Sequence, residues 1–390
     1  MIMLSQQQRI FFEFLRFCIG TVQEVPSSLK RADWRALYAM ARKQCLVGVL
    51  FDGIKRLPAD VGMDKGLLFQ WMAQNQTLRK ANARLDKAAV EVAEWFGRKG
   101  FRTCVLKGQG NALLYPPGME RTPGDIDLWV DGGDRKVVSF VRSLSPDEKV
   151  CYHHIGFPEY NGVEVEVHFR PSFLFCFRYN RRLQGYYERV MDEQFAHRVK
   201  LGGQGEVAVP KAEFNLIFQL THIFTHLMNE GIGLRQLLDY FFLLKNTDFI
   251  GNADGDGFLL NTDCTDNTDK DGGNADGVDR RLLQDELRRL GLWEFAGAVM
   301  YIMKEVFGLE DNRLIVPPDV KRGRLVLKEV LEAGNFGQYD KRNWFGHSAL
   351  GHNLQRLYRD MRLVRYFPEE ALSEPFFRIW HFFWRKRIVR

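Results

Sequence analysis

No run of about 18 apolar residues occurs in the 390-residue chain, so no helix of it is expected to cross a membrane. The first twenty residues lack a basic start and a clean apolar stretch. Glu13 and Arg16 interrupt them, which argues against a signal peptide. Cysteine is sparse: Cys18, Cys45, Cys104, Cys151, Cys176 and Cys264 stand singly, with no C-x-x-C pair. That pattern excludes a zinc ribbon and reads as reduced thiols in a cytoplasmic protein. The P-loop pattern G-x-x-x-x-G-K-[ST] is absent. So is H-E-x-x-H, because the pair His222 and His226 has Ile223 where the glutamate would stand. These two histidines are read as packing residues or as contacts to a nucleotide or acceptor.

What is present is a globular composition, 45% apolar with 31 phenylalanines, able to bury one or two cores. The net charge of +6 hides an asymmetry. Residues 246–279 hold nine Asp and one Lys, a net −8, which leaves +14 on the remainder. A basic body suits an anionic substrate such as a nucleotide or nucleic acid; solvated surface charge is the plainer reading.

Residues 5–20 carry an amphipathic helical pattern, and 33–54 carry another with Asp33 as N-cap. Residues 64–100 follow as one long helix or two. This N-terminal third is expected to pack on the sheet that comes next. From Phe101 the period shortens to two. Residues 101–106, 125–130, 149–154 and 163–169 read as strands, 134–144 as a helix, and Asn161-Gly162 as a hairpin turn. Residues 205–209 suggest one more edge strand. From 211 the helical period returns, with Arg235 and Asp239 four apart and able to pair. The expected fold class is therefore α+β. A small mixed β-sheet core over 99–210 is flanked by N-terminal helices over 1–98 and a C-terminal helical domain over 211–245 and 280–390. The Asp/Gly/Asn-rich stretch 246–279 is expected to be a disordered insert. Within it, residues 252–263 resemble a calcium loop, but Asn252 replaces the first aspartate and Asp263 the bidentate glutamate, so calcium binding is not expected.

The chemistry concentrates in residues 101–131. Lys107-Gly108-Gln109-Gly110 breaks one strand, and Asp125-Ile126-Asp127-Leu128-Trp129-Val130 forms the next. Alternation puts Asp125 and Asp127 on one face and Ile126, Leu128 and Val130 on the other, toward a core. Two neighbouring carboxylates repel, and a hard cation such as Mg²⁺ or Mn²⁺ would relieve them. On that ground, neutralising Asp127 is expected to keep or raise the stability of the metal-free protein. Glu164 and Glu166 share a face of the 163–169 strand, and either could bring a third carboxylate to the cation or take a proton.

A glycine turn followed by D-I-D-L resembles the nucleotidyltransferase superfamily, with its polymerase-beta-like fold. The match is closer to a bacterial branch called uncharacterised nucleotidyltransferases. Members carry L-K-G, a helix ending in Tyr, an Arg, then D-I-D-L, and a strand ending E-h-H. Here these are Leu106-Lys107-Gly108, Tyr115, Arg121, Asp125–Leu128 and Glu166-Val167-His168, within a likeness spanning roughly residues 30–245.

The resemblance implies metal-dependent transfer of a nucleoside monophosphate from an NTP, such as ATP, with release of pyrophosphate. The acceptor is a hydroxyl on a small molecule, a protein or RNA. Asp125, Asp127 and Glu166 would be catalytic and hold Mg²⁺ or Mn²⁺, with Glu166 ranked above Glu164 by the E-h-H pattern. Lys107, Gly108 and Gly110 would contact nucleotide phosphates through an ammonium and backbone N–H groups. His168 would contact a phosphate or orient Glu166. Arg121 would reach a phosphate or hold its loop by pairing with Asp125. Gly110 stands where the superfamily usually has Ser, which leaves open a non-catalytic nucleotide-binding or interaction protein on the same fold. The tail 376–390 interleaves five basic residues with six aromatics. It reads as a core-docking helix or as a weak nucleic-acid or membrane contact.

Overall fold

The computed structural model describes residues 4–58, 62–250, 277–342 and 349–389. It opens with α1 (Gln6–Cys18), α2 (Trp34–Lys43), α3 (Val47–Ile54) and the long α4 (Lys65–Arg98). Ser5 starts α1 with a reciprocal cap: it accepts from Gln8 N and donates its own N–H to Gln8 Oε1. Asp33 caps α2 through Arg35 N and Ala36 N. The expected 33–54 helix is interrupted at Cys45, whose φ of 55° ends α2. The interruption frees the Cys45 carbonyl to accept from Thr122 Oγ1 at 2.7 Å, which ties this corner to the loop before Asp125.

The α/β part follows as β1 (Thr103–Val105), α5 (Gln109–Ala112), β2 (Ile126–Val130), α6 (Gly133–Leu144), β3 (His154–Tyr160), β4 (Val163–His168), α7 (Phe177–Ala196), β5 (Arg198–Leu201) and β6 (Gly205–Ala208). The main sheet has the order β1-β2-β4-β3. It is antiparallel at β1/β2 and β4/β3 and parallel at β2/β4. The strand expected over 149–154 is displaced. Only Val150 of that stretch bridges to Ile155, and the strand proper is β3, starting at His154. Pro158 disguised it, because proline argues against a strand except at an edge or bulge. Here β3 is the edge, and its register shifts between Phe157 and Tyr160. The Asn161-Gly162 turn is as expected, with both φ values positive (52° and 72°). The expected edge strand near 205–209 is β6, paired with β5 in a separate two-stranded sheet.

Helices then resume: α8 (Ala212–Asn229), α9 (Leu234–Asn246), α10 (Arg280–Arg289), α11 (Trp293–Glu305), α12 (Val320–Ala333), α13 (Ala349–Leu363) and α14 (Pro368–Ile388). Of the expected insert, the described ends are ordered. Phe249 and Ile250 (β7) pair in parallel with Val278 and Asp279 (β8), and Asp279 caps α10. The calcium-loop resemblance over 252–263 and Cys264 lie outside the described residues, as does Arg390.

The sheet separates two cores. Val105, Ile126, Leu128, Val130, Val163, Val165 and Val167 point into the smaller one, closed by the second half of α4 and by α6. The larger core is helical and draws on α1–α3 as well as α8–α12. The N-terminal third therefore divides. Only α4 packs on the sheet, whereas α1 and α2 lean on the C-terminal helices. Arg16 Nε donates to Val306 O at 3.2 Å, and Gln44 Nε2 donates to Val330 O at 3.1 Å. The Phe-rich face of α1 finds its apolar partners there; the sheet's second face joins the larger core through Cys104 and Trp129, the latter stacked on Phe214, and carries Asp127 and Glu166 beside them.

Candidate active site

The polar face of the sheet carries the carboxylates in the register that strand alternation demands. Asp127 stands directly beside Glu166 across the parallel β2/β4 pair. Asp125 lies one residue before β2, so the strand is shorter than expected, yet its carboxylate still reaches the same place. One oxygen each from Asp125, Asp127 and Glu166 lie within 4.8 Å of one another. Glu164, two residues back along β4, is exposed.

Lys107 is delivered to this cluster by the backbone: Leu106 N–H donates to the Asp127 carbonyl at 3.0 Å, closing the end of β1 on β2. Gly108 then takes φ 55°, ψ −103°, where an L side chain is strained, and a Cβ there would lie 3.4 Å from Asp125 O. The Lys107 ammonium donates to Asp127 Oδ1 at 2.8 Å and to His222 Nε2, on α8, at 3.0 Å. His168 Nε2 donates to the same Asp127 oxygen at 2.9 Å and lies 3.4 Å from Glu166 Oε2. His154, opposite His168 on β3, brings Nδ1 to 3.4 Å from Glu166 Oε2.

These contacts sort the protonation states. Burial would raise the Asp127 pKa, but Lys107 and His168 overcome it and hold the carboxyl well below its usual range. Burial opposes charge on His168, yet its bonds to Asp127 and Glu166 lift it to about 9. Glu166 is lowered in turn, burial being outweighed by His168 and His154. Asp125 is raised to about 6, first by the charge on Asp127 and then by burial. Burial also lowers His154, to about 4, and keeps His153 and His222 neutral. Neutral His222 is what allows Nε2 to accept from Lys107.

The expectation that neutralising Asp127 relieves the metal-free protein is therefore corrected. The repulsion is already met from within, by Lys107 and protonated His168 on Asp127 Oδ1. Among the described residues no side chain hydrogen-bonds Asp127 Oδ2, Glu166 Oε1 or the Asp125 carboxylate, whose one hydrogen bond comes from its own backbone. Those are the atoms a cation would use. Mg²⁺ takes oxygens at about 2.1 Å, so two ligands lie at most about 4.2 Å apart, and a spread of 4.8 Å closes with small side-chain rotations. His154, Glu166 and His168 also cluster, but His168 carries the proton that a ligand nitrogen must lack.

Other expected residues are placed differently. Arg121 does not pair with Asp125. Its guanidinium forks onto Asp239 of α9, Nε–Oδ1 at 2.8 Å and Nη2–Oδ2 at 2.7 Å, and Tyr115 Oη adds a third bond at 2.7 Å. Asp239 is thus taken. Arg235 does not pair with it but donates to the carbonyls of Thr122 (3.1 Å) and Pro123 (3.3 Å). Together these two arginines fix residues 121–124, and hence Asp125, against α9. His168 is fully buried beneath the carboxylates, so it orients Asp127 and Glu166 and has no surface for a phosphate. Gly110 packs toward Val209 and lines a separate cavity away from the carboxylates. His153 and His154 were not singled out from sequence. The strand that starts at His154 is displaced from the expected one, and only its pairing opposite His168 would have revealed that His154 lies beside Glu166.

The carboxylates open into a cavity of about 360 Å³ between the sheet, α8, α9 and α14. Lys107, Gly108, Asp125, Asp127 and Glu166 line it together with Phe336, Arg356, Phe377 and Arg378. The cavity is large enough for a small ligand and has acidic, basic and aromatic walls.

Comparison with known proteins gives one family: the model of the uncharacterised nucleotidyltransferases matches residues 30–254, more than half of the chain. No curated protein matches. Among solved structures, an antigenic nucleotidyltransferase-like protein from Paracoccidioides brasiliensis aligns at 16% identity over 44% of this chain and 77% of that one, with a TM-score of 0.27. No helix among the described residues is long and apolar enough to cross a membrane.

Proposed function

Since the chain belongs to the uncharacterised nucleotidyltransferase family, we propose that it transfers a nucleoside monophosphate from an NTP to an acceptor hydroxyl in a reaction dependent on Mg²⁺ or Mn²⁺. The observation that carries this reading is the convergence of Asp125, Asp127 and Glu166 within 4.8 Å at the mouth of a cavity. A bound divalent cation would offset triphosphate charge and favour the attacking oxygenate.

The chain's own residues divide the remaining work. Asp125, the free oxygen of Asp127 and Glu166 supply hard oxygen ligands. His168 and Lys107 hold Asp127 from below, so the site needs little reorganisation when charge changes. Lys107 and Gly108 face the cavity and suit the phosphates. The acceptor oxygen bonds to the α-phosphorus, the bond from that phosphorus to the β-phosphate bridge breaks, and pyrophosphate leaves. The acceptor proton passes to Glu166. The aromatic and basic part of the lining, Phe336, Phe377, Arg356 and Arg378, is where the acceptor or the base would sit.

Gly110, in place of the usual serine, favours a second reading: nucleotide binding without turnover. Parallel incubations with α-phosphate-labelled and γ-phosphate-labelled NTPs, Mg²⁺ or Mn²⁺, and cell extract separate these. Transfer of the α label to an acceptor, with the γ label leaving as pyrophosphate, supports the transferase. Transfer of the γ label instead indicates a kinase, and retention of intact NTP without transfer indicates a binding protein.

A further inference from the structure

Helix α14 has two apolar faces, and among the described residues only one has a partner. Its inner stripe, Glu370, Ala371, Glu374 and Phe377, is buried, with Phe377 stacked on Phe173 at 5.2 Å. Its outer stripe runs Leu372, Phe376, Ile379 and Phe383, spaced four, three and four, and these side chains are 61, 68, 61 and 60% exposed. Four large apolar residues in one exposed row on a well-packed helix exceed the scattered exposure that globular surfaces normally show. α13, held to α14 by Arg378 Nη1 on Asn353 Oδ1 at 2.8 Å, leaves Met361 67% exposed as well.

The charge beside this row selects the occupant. Residues 376–388 contain Arg378, Arg385, Lys386 and Arg387 and no acidic residue. Arg385, Lys386 and Arg387 form the last turn and are exposed. Phe, Leu and Ile side chains on one face with a basic cluster at the end describe a helix that lies in the plane of a bilayer surface, its apolar row among the acyl chains and its cations among anionic headgroups. A second copy of this chain would instead present the same positive charge to itself. We propose that the outer face of α14 docks on an anionic lipid surface. The proposal stands independently of the transferase reading.

The test is co-sedimentation of the full chain with vesicles of phosphatidylcholine alone and of an equal mixture of phosphatidylcholine and phosphatidylglycerol, at low and high salt. The protein is expected to sediment with the mixed vesicles, much less with the neutral ones, and less at high salt. Two triple variants, Phe376→Ser/Ile379→Ser/Phe383→Ser and Arg385→Gln/Lys386→Gln/Arg387→Gln, change exposed residues and should keep the unfolding midpoint. The charge variant should lose on the order of 100-fold in partitioning to the mixed vesicles. The proposal is overturned if the native protein stays in the supernatant with mixed vesicles, or if the apolar variant sediments as the native protein does. It is equally overturned if light scattering without lipid shows a dimer that the apolar variant abolishes, or if the face retains a labelled RNA in preference to lipid.

Discussion

The Lys107 ammonium lies 2.8 Å from Asp127 Oδ1, so the central carboxylate of the site has a cation of its own before any metal arrives. With His168 at 2.9 Å on the same oxygen, Asp127 is a buried anion between two cations. Asp127→Asn should therefore destabilise the metal-free protein, by about 3–5 kcal/mol, because it strands Lys107 and protonated His168 together. Urea denaturation in the presence of a chelator measures this. An unchanged or raised stability would restore the view that the carboxylates simply repel.

Arg121 and Asp239 make the second test. Both side chains are buried and bidentate. Arg121→Ala should cost about 3–5 kcal/mol by leaving Asp239 uncompensated. A double-mutant cycle with Asp239→Ala should return a large coupling energy, since the pair loses most of its value once either partner is gone. Additive effects would mean that the arginine's main work is elsewhere, such as on a phosphate.

The pH dependence follows from His168, raised from 6.5 to about 9 in the folded state. A raised folded pKa contributes stability that is full below the unfolded value and lost as pH climbs through the folded one. Metal-free stability should thus fall between pH 6.5 and 9, by at most roughly 3 kcal/mol. His168→Asn should flatten this part of the profile. A slope of the opposite sign in the native protein would show that His168 is neutral in the fold.

Excision near the acidic stretch gives a boundary test. Replacing residues 251–276 by a short Gly-Ser linker should leave stability nearly unchanged. Extending the replacement to 246–279 removes Thr247, whose carbonyl accepts from Arg313 at 2.6 Å, buried Val278, and the Asp279 cap on α10. That longer excision should cost about 2 kcal/mol or more. Equal midpoints for both excisions in thermal melts would contradict the packing at these ends.

What the sequence disclosed was local. Alternation along five residues of β2 put Asp127 on the polar face and Leu128 in the core, and the same parity on β4 separated Glu166 from Val167. Positive-φ residues at Asn161-Gly162 announced their turn. What it withheld depends on long-range pairing. Arg121 and Asp239 are 118 positions apart, so nothing local could prefer that carboxylate over nearby Asp125. His154 reaches Glu166 only because β3 turns back on β4, with Pro158 hiding the strand. The Lys107–His222 contact spans 115 positions, and it places beside Lys107 a histidine whose local pattern allowed either packing or a nucleotide or acceptor contact.

The most direct test is Mn²⁺ binding followed by electron paramagnetic resonance on the native protein and on Asp125→Asn, Glu166→Gln and Glu164→Gln. Native protein and Glu164→Gln should bind Mn²⁺ saturably and alike, because Glu164 points to solvent. Asp125→Asn and Glu166→Gln should each weaken binding by more than about tenfold, since each removes an inner ligand and even loss of an outer-shell partner typically costs that much. Native-like Mn²⁺ affinity in Asp125→Asn, or a loss confined to Glu164→Gln, would contradict the assignment of Asp125, Asp127 and Glu166 as the cation site.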